Sequence, residues 1–182
     1  PYVTSDGYIH ERDKILSDIY GNTLMQEVRR YALRAKDIAK KEKFDVIHAH
    51  DWLSFLAGVE AKKVSGKPLI LHMHATEFDR TGGQGVNQDV YKIERDAMNY
   101  ADGIIAVSNF TKEKIVQHYG IPSEKIEVVH NGIDECDYTN IPDKLTELKK
   151  SGQKIVLFAG RITIQKGPEY FIRAAKRVLE VN

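Results

Sequence analysis

The stretch "LILHMHATEF", residues 69–78, decides the fold class of this sequence. It begins as a short, almost continuous apolar run and ends in polar side chains. Four further runs share this character: "FDVIHAH" at 44–50, "GIIAVS" at 103–108, "IEVVH" at 126–130 and "KIVLFAG" at 154–160. Short runs of this kind, rich in β-branched residues, are typical of parallel strands that are covered on both faces.

Helical patterns separate several of these runs. A strong one covers roughly Thr23–Lys41, and others lie at 54–64, 90–101 and 109–120. Alternating strands and helices predict an α/β fold with a doubly wound, Rossmann-like parallel sheet and right-handed crossovers. Within the third of these helical patterns, Glu94 and its neighbour are expected on a solvated, charged face.

A domain boundary is predicted between Asn140 and Gln153, because the polar stretch 131–153 contains a proline, two glycines and only a short helical pattern. The sequence therefore predicts one Rossmann-like domain over 1–145 and the opening strand and helix of a second over 146–182. Pro1 is not a natural start, so the chain is expected to be cut from a longer protein.

Composition excludes several classes of protein. The 182 residues carry a formal net charge of +1, which argues against wholesale nucleic-acid binding. Cys136 is the single cysteine, which rules out an internal disulfide and suits a reducing compartment. No window approaches 18 apolar residues and no signal peptide is evident, so we expect no transmembrane segment and a cytoplasmic location.

Candidate functional residues gather where the apolar runs end. In open α/β sheets, ligands bind outside the carboxyl ends of the strands. The candidates at three of these ends are His50, Asp51, Trp52, His74, Glu77, Gly160, Arg161 and Lys166. The sequence thus predicts a binding site along this edge.

Arg161 and Lys166 frame the start of a predicted helix near Gly167. A helix N-terminus offers free N–H groups and about half a positive charge, both of which attract phosphate. A guanidinium adds a bidentate fork and an ammonium adds a point charge. This set suits a diphosphate, and the alternative is a solvated pair of cations in a surface loop.

Two His-x-His runs raise the alternative of a metal site. Residues two apart on a strand face the same side, so His48, His50, His72 and His74 offer four imidazoles to zinc. Both runs are apolar, however, and packed, hydrogen-bonded histidines are the more common outcome. We expect no metal ion, with the last histidine of each run nearest the site and the earlier one structural.

Five motifs together resemble the retaining glycosyltransferases of family 4. They are "DVIHAHDW", "LHMHATEF", "ADGIIAVSNFTKEKI", "VVHNGID" and "FAGRITIQKG", in the family's order and separations, over nearly all of residues 44–180. The first two are most similar to the glycogen and starch synthase side of the family. The resemblance implies a GT-B architecture, with two Rossmann-like domains facing each other across a cleft, present here as a partial chain.

The resemblance also implies roles for individual residues. Arg161 and Lys166, with Gly160 beside them, match the positions that hold the donor diphosphate. His74 matches the histidine that contacts the transferred sugar, and Asp51 matches the aspartate at the cleft. We interpret His74 and Asp51 as the catalytic residues.

Substrate expectations follow from the same resemblance. The donor is expected to be a UDP- or ADP-linked sugar, with glucose the expected sugar, and the acceptor a glucan or another glycoside, without a cofactor. His50, Trp52 and Glu77 are interpreted as sugar or acceptor contacts. Two alternatives stay open, namely a metal-dependent hydrolase built on the His-x-His runs and a non-catalytic nucleotide-binding module.

The family's glycine-rich loop and its E-x₇-E motif are not found in the sequence. The chain alone is therefore expected to be catalytically inactive. An unpaired sheet edge is expected to favour self-association.

Overall fold

The computed structural model describes residues 24–83, 85–134, 147, 150–152 and 154–181. Contacts divide the chain into two compact units, the first ending at His130 and the second beginning at Asn131. The predicted boundary at 145/146 falls outside the described residues, so it stays a prediction. None of the described helices is long and apolar enough to cross a membrane.

Strands and helices alternate through the described part of the first unit. The elements are α1 (Leu24–Ala39), β1 (Ile47–His50), α2 (Asp51–Ser65), β2 (Leu69–Met73), α3 (Glu77–Arg80), α4 (Gln88–Tyr100), β3 (Gly103–Ala106), α5 (Asn109–Tyr119) and β4 (Ile126–Val128). The sheet of the described residues has the order β1-β2-β3-β4, and all of its pairings are parallel. The α/β class and the first four predicted strands are confirmed.

The two faces of this sheet differ. Leu69, Leu71 and Met73 alternate on one face of β2 and are fully buried, whereas Ile70 and His72 on the other face are only partly buried. Strand order equals chain order, so right-handed crossovers place the connecting helices on a single face. Among the described residues, the expected cover on both faces is therefore not found.

The packed face shows close contact between helix and sheet at Gly58. A Cβ atom at this position would lie 2.8 Å from Cδ1 of Leu69 and 3.0 Å from Cβ of Ala49. These separations are too short for a real side chain, so α2 approaches the sheet this closely only because residue 58 is glycine. This approach sets the position of the start of α2, next to the end of β1.

The second unit departs from the prediction. Residues 154–160 were expected to form a fifth strand, but they form no regular element, and Val156 and Leu157 are 77% and 79% exposed. No described strand of this unit lies beside them, and a strand requires a neighbour to accept and donate its hydrogen bonds. A 3-10 turn at Ile164–Lys166 and α6 (Pro168–Val181) follow.

Candidate functional site

The carboxyl ends of β1 and β2 bring three predicted site residues together. β1 ends at His50 and α2 begins at Asp51, while His74 directly follows β2. Nδ1 of His50 and Nε2 of His74 are hydrogen-bonded at 3.1 Å. The backbone N–H of His74 donates to Oδ1 of Asp51 at 2.8 Å. Residues 23 or 24 positions apart in the chain thus form one polar cluster.

Asp51 has an unusual backbone conformation. It is the one non-glycine residue of the described chain with a positive φ, 56°, a region that costs an L-residue about 1–2 kcal/mol. The hydrogen bond from His74 helps to hold this conformation and turns the carboxylate toward the end of β2. Backbone strain of this kind is concentrated at functional sites. The positive φ of Asp51 was not predicted from the sequence.

Histidine rings lie side by side along this edge, and burial and the neighbouring rings lower the pKa of two of them. Burial lowers the pKa of His50, and His48 and His74 lower it further, against the opposing effect of Asp51. Burial also lowers the pKa of His72, and the three neighbouring histidines add to this shift. Both rings are therefore held neutral at pH 7.

Two predicted contact residues are instead packed into the fold. Trp52 is buried in the apolar core. Glu77 is buried, and its carboxylate accepts from Nε of Arg80 at 3.1 Å and from the backbone N–H of Asn87 at 3.3 Å. These placements favour structural roles for Trp52 and Glu77, and their contact with a sugar or acceptor stays a prediction.

Glu94 was expected in solvent, and that expectation is wrong. Its side chain is 0% exposed and accepts hydrogen bonds from the guanidinium of Arg80, the hydroxyl of Tyr119 and the backbone N–H of Glu77. Burial raises the pKa of Glu94 to about 7, although Arg80 opposes the shift. A signal was present, since Glu94 lies four residues after buried Val90, on the apolar side of α4.

This buried network fixes the segment that follows His74. Arg80 also donates to the backbone carbonyl of Ala75 at 2.6 Å, and Lys114 donates to Asp79 at 2.5 Å. Thr76 caps α3, and its hydroxyl and N–H are bonded to Asp79. The loop that leads out of β2 is therefore anchored on α4 and α5.

The second unit, taken by itself, brings Gly160 and Lys166, two of the predicted diphosphate residues, together. Lys166 ends the 3-10 turn, and its backbone N–H donates to the carbonyl of Thr163 at 3.1 Å. Gly167, with φ 62°, then turns the chain into α6. A Cβ atom on Gly160 would lie 3.7 Å from Cγ of Lys166, so the residue before Arg161 lies beside the lysine stem.

Comparison with known proteins agrees with this architecture. Residues 9–135 match the family described as Glycosyltransferase Family 4. An uncharacterized glycosyltransferase of Methanocaldococcus jannaschii is 32% identical over 148 residues, which are 76% of this chain and 38% of that protein. Alpha-maltose-1-phosphate synthase of Mycolicibacterium smegmatis is 36% identical over 146 residues, 72% of this chain and 37% of that protein.

A solved structure shares the fold. The crystal structure of the Anabaena protein HepE with UDP and glucose gives a TM-score of 0.52 at 21% identity and covers 66% of this chain and 31% of that one. The chain thus spans less than two fifths of the length of the curated relatives described above. Its parallel α/β sheet is that of a GT-B glycosyltransferase. The chain belongs to glycosyltransferase family 4.

Proposed function

We propose that the chain is part of a retaining glycosyltransferase of the glycogen and starch synthase kind. In this proposal the enzyme transfers glucose from a UDP- or ADP-linked donor to a glucan or another glycoside in the cytoplasm. Family membership supports glycosyl transfer as the reaction class. The structure of HepE holds UDP and glucose, which supports a nucleotide-linked sugar as donor.

The observation that carries this proposal is the cluster of His50, Asp51 and His74. The cluster lies at the carboxyl ends of two adjacent parallel strands, where ligands of open α/β sheets bind. The hydrogen bonds from His74 to Asp51 and between His50 and His74 orient the three residues before any ligand arrives. In the proposed reaction, His74 contacts the transferred sugar and Asp51 lies near the meeting point of donor and acceptor.

Gly160, Arg161 and Lys166 are proposed to receive the donor diphosphate. Lys166 lies two residues before the first residue of α6, whose N-terminal N–H groups favour an anion. Glycine at position 160 leaves the backbone uncovered beside the lysine stem. A guanidinium together with an ammonium suits the two charges of a diphosphate better than a single carboxylate.

The chemistry explains why cations are needed. The bond between the anomeric carbon and the diphosphate oxygen breaks, and a bond from the acceptor oxygen forms on the same face of the sugar. The acceptor proton passes to the departing phosphate, so no protein base is needed. Because the acceptor oxygen itself enters on the face that the phosphate leaves, no protein nucleophile takes part. Negative charge grows on the leaving diphosphate, and preorganised positive groups stabilise it more in the transition state than in the bound donor.

The metal-dependent hydrolase is not favoured. The spacing of the His-x-His runs was the only observation in favour of a hydrolase. The chain matches Glycosyltransferase Family 4, and the relatives described above are glycosyltransferases. A hydrolase would release free sugar with or without an acceptor. A transferase requires the acceptor for turnover.

Product analysis in an intact transferase that carries this sequence tests the proposal. The enzyme is incubated with UDP-glucose or ADP-glucose and a glucan acceptor, and proton NMR identifies the anomer of the new linkage. We expect acceptor-dependent transfer with the α configuration of the donor retained. Release of free glucose, or a β linkage, would contradict the proposal. The rates of transfer from the two donors, compared at equal concentration, identify the nucleotide base of the donor.

A further inference from the structure

Three histidines face the same side of the sheet at the start of the candidate site. In the register of β1 and β2, His48 lies opposite Ile70 and His50 lies opposite His72. The ring centroids of His48 and His50 are 4.3 Å apart, those of His50 and His72 are 4.9 Å apart, and those of His48 and His72 are 5.4 Å apart. The three imidazoles therefore form one compact group, called here the histidine triad.

One member of this group, His72, has no hydrogen-bond partner for its side chain among the described residues. Neither ring nitrogen of His72 has a hydrogen-bond partner among the described residues, and both atoms are buried. A buried polar group without a partner destabilises the folded state, because it gives up its hydrogen bonds to water without replacing them. Because one nitrogen of a neutral imidazole is an acceptor, a cation that His72 ligates would remove part of this cost.

The geometry of the triad fits a metal ion. One nitrogen from each of the three rings can be chosen so that all lie within 4.8 Å of one another. A tetrahedral zinc ion with bonds of 2.0–2.1 Å needs nitrogens about 3.3 Å apart. Rotation of the exposed His48 and His50 side chains supplies this closure. His50 already bonds His74 through Nδ1, which leaves its Nε2 for an ion, an arrangement usual for histidine ligands.

We propose that His48, His50 and His72 form a binding site for a divalent transition-metal ion, with zinc as the reference ion. Imidazole nitrogens suit zinc, copper and nickel, whereas magnesium and calcium prefer oxygen ligands. Three histidines leave a fourth position for water. The site shares His50 with the cluster of His50, Asp51 and His74, and the metal ion takes no part in the proposed transfer step. From the spacing of the histidines alone we expected no metal ion, and the unpartnered ring nitrogens of His72 are the observation that favours one.

Titration of the 182-residue chain with zinc tests this proposal. The chain is prepared without a polyhistidine tag, stripped with a chelator and titrated in competition with a chromophoric zinc indicator. We expect one zinc ion per chain, unaffected by a large excess of magnesium. His48→Ala and His72→Ala are each expected to weaken binding by more than about ten-fold. Cobalt should give the visible absorption of a tetrahedral site, lost in the same variants.

Matched controls make the result decisive. His118→Ala removes an exposed histidine outside the triad and should leave zinc affinity unchanged, as should Cys136→Ser. His48 is exposed, so His48→Ala remains informative even if His72→Ala impairs folding. Absence of one-to-one saturation, equal affinity in all variants, or a loss confined to Cys136→Ser would overturn the proposal. Each of these readouts is independent of transferase activity.

Discussion

Two apolar runs of similar composition have opposite outcomes in this chain. In β2, Leu69, Leu71 and Met73 are 0% exposed, and the strand pairs with β1 on one side and β3 on the other. In residues 154–160, Leu157 is 79% exposed and no strand forms. An apolar run therefore makes a strand possible but does not by itself form one. Neighbouring strands and a covering helix are what turn such a run into a buried element.

The largest effect predicted by this comparison is at Phe55. This side chain of α2 is 0% exposed, so Phe55→Ala should lower the free energy of unfolding by about 3–5 kcal/mol. Phe110 is the matched control, because it is 63% exposed and its ring centroid lies 4.6 Å from the ammonium of Lys114. Phe110→Ala should cost less than about 1 kcal/mol. Equal decreases in the free energy of unfolding for the two variants, measured by urea denaturation, would contradict the assignment of the apolar core to one face of the sheet.

The second prediction concerns a residue of the less buried region. In an intact transferase that carries this sequence, Lys166→Ala should lower kcat and kcat/KM by about 10²–10³-fold, since it removes a charge that stabilises the leaving diphosphate. The melting temperature should hardly change, because Lys166 is exposed.

Lys176→Ala is the matched control for that change. Lys176 lies in α6, where it pairs with Glu180 at 3.7 Å and is largely exposed. Its removal should leave both kinetic constants within about two-fold of wild type. A lowered melting temperature with normal kcat in Lys166→Ala would make the lysine a structural residue.

The third prediction concerns the buried network that anchors the loop after His74. The pKa of Glu94 is raised from 4.5 to about 7 in the folded chain, so the folded state binds more protons than the unfolded state between these values. Its contribution to stability is then full below pH 4.5 and is lost as the pH rises through about 7. Relative to Glu94→Gln, the wild type should lose unfolding free energy across this range.

Denaturant unfolding at a series of pH values measures that difference. Arg80, Glu77 and Tyr119 all contact the Glu94 carboxyl, and they are common to wild type and variant. A difference that grows with pH would mean that Arg80 holds Glu94 ionised, with a pKa below its ordinary value.

The smallest effect is predicted at Leu157. The side chain is exposed in a segment without regular structure, so Leu157→Ala should change the free energy of unfolding by less than about 0.5 kcal/mol. The matched change is Leu71→Ala in β2, where a buried leucine should cost about 2–5 kcal/mol. A large loss at Leu157 would show that residues 154–160 do pack in the folded chain.

Much of the fold was predictable from the sequence because its signals are local. The first four strands and the helices between them follow from apolar periodicity and from polar residues at strand ends. The predictions that failed concern residues whose structure depends on neighbours that are distant in the sequence. The fifth predicted strand depended on a partner strand. The position of Glu94, four residues after Val90, indicated the buried side of α4, but its hydrogen-bond partners, such as Arg80, are identified only by the structure.

The candidate site was predictable in its location but not in its geometry. Strand-end placement predicted that His50, Asp51 and His74 meet at one edge. The positive φ of Asp51 and the unpartnered nitrogens of His72 arise from tertiary packing, which no local pattern encodes. Trp52 and Glu77 were interpreted as ligand contacts from motif position, whereas their burial depends on the core around them.

The turnover number of His74→Ala, measured in an intact transferase that carries this sequence, tests most directly whether the cluster of His50, Asp51 and His74 is the transfer site. We expect a decrease in kcat of about 10²–10³-fold with a nucleotide-linked glucose donor, because a preorganised contact to the reacting sugar is lost. The melting temperature should stay close to that of wild type, since His74 is exposed after β2. His118→Ala, an exposed histidine elsewhere, should retain full turnover. A His74→Ala enzyme with normal kcat would contradict the assignment of this cluster as the transfer site.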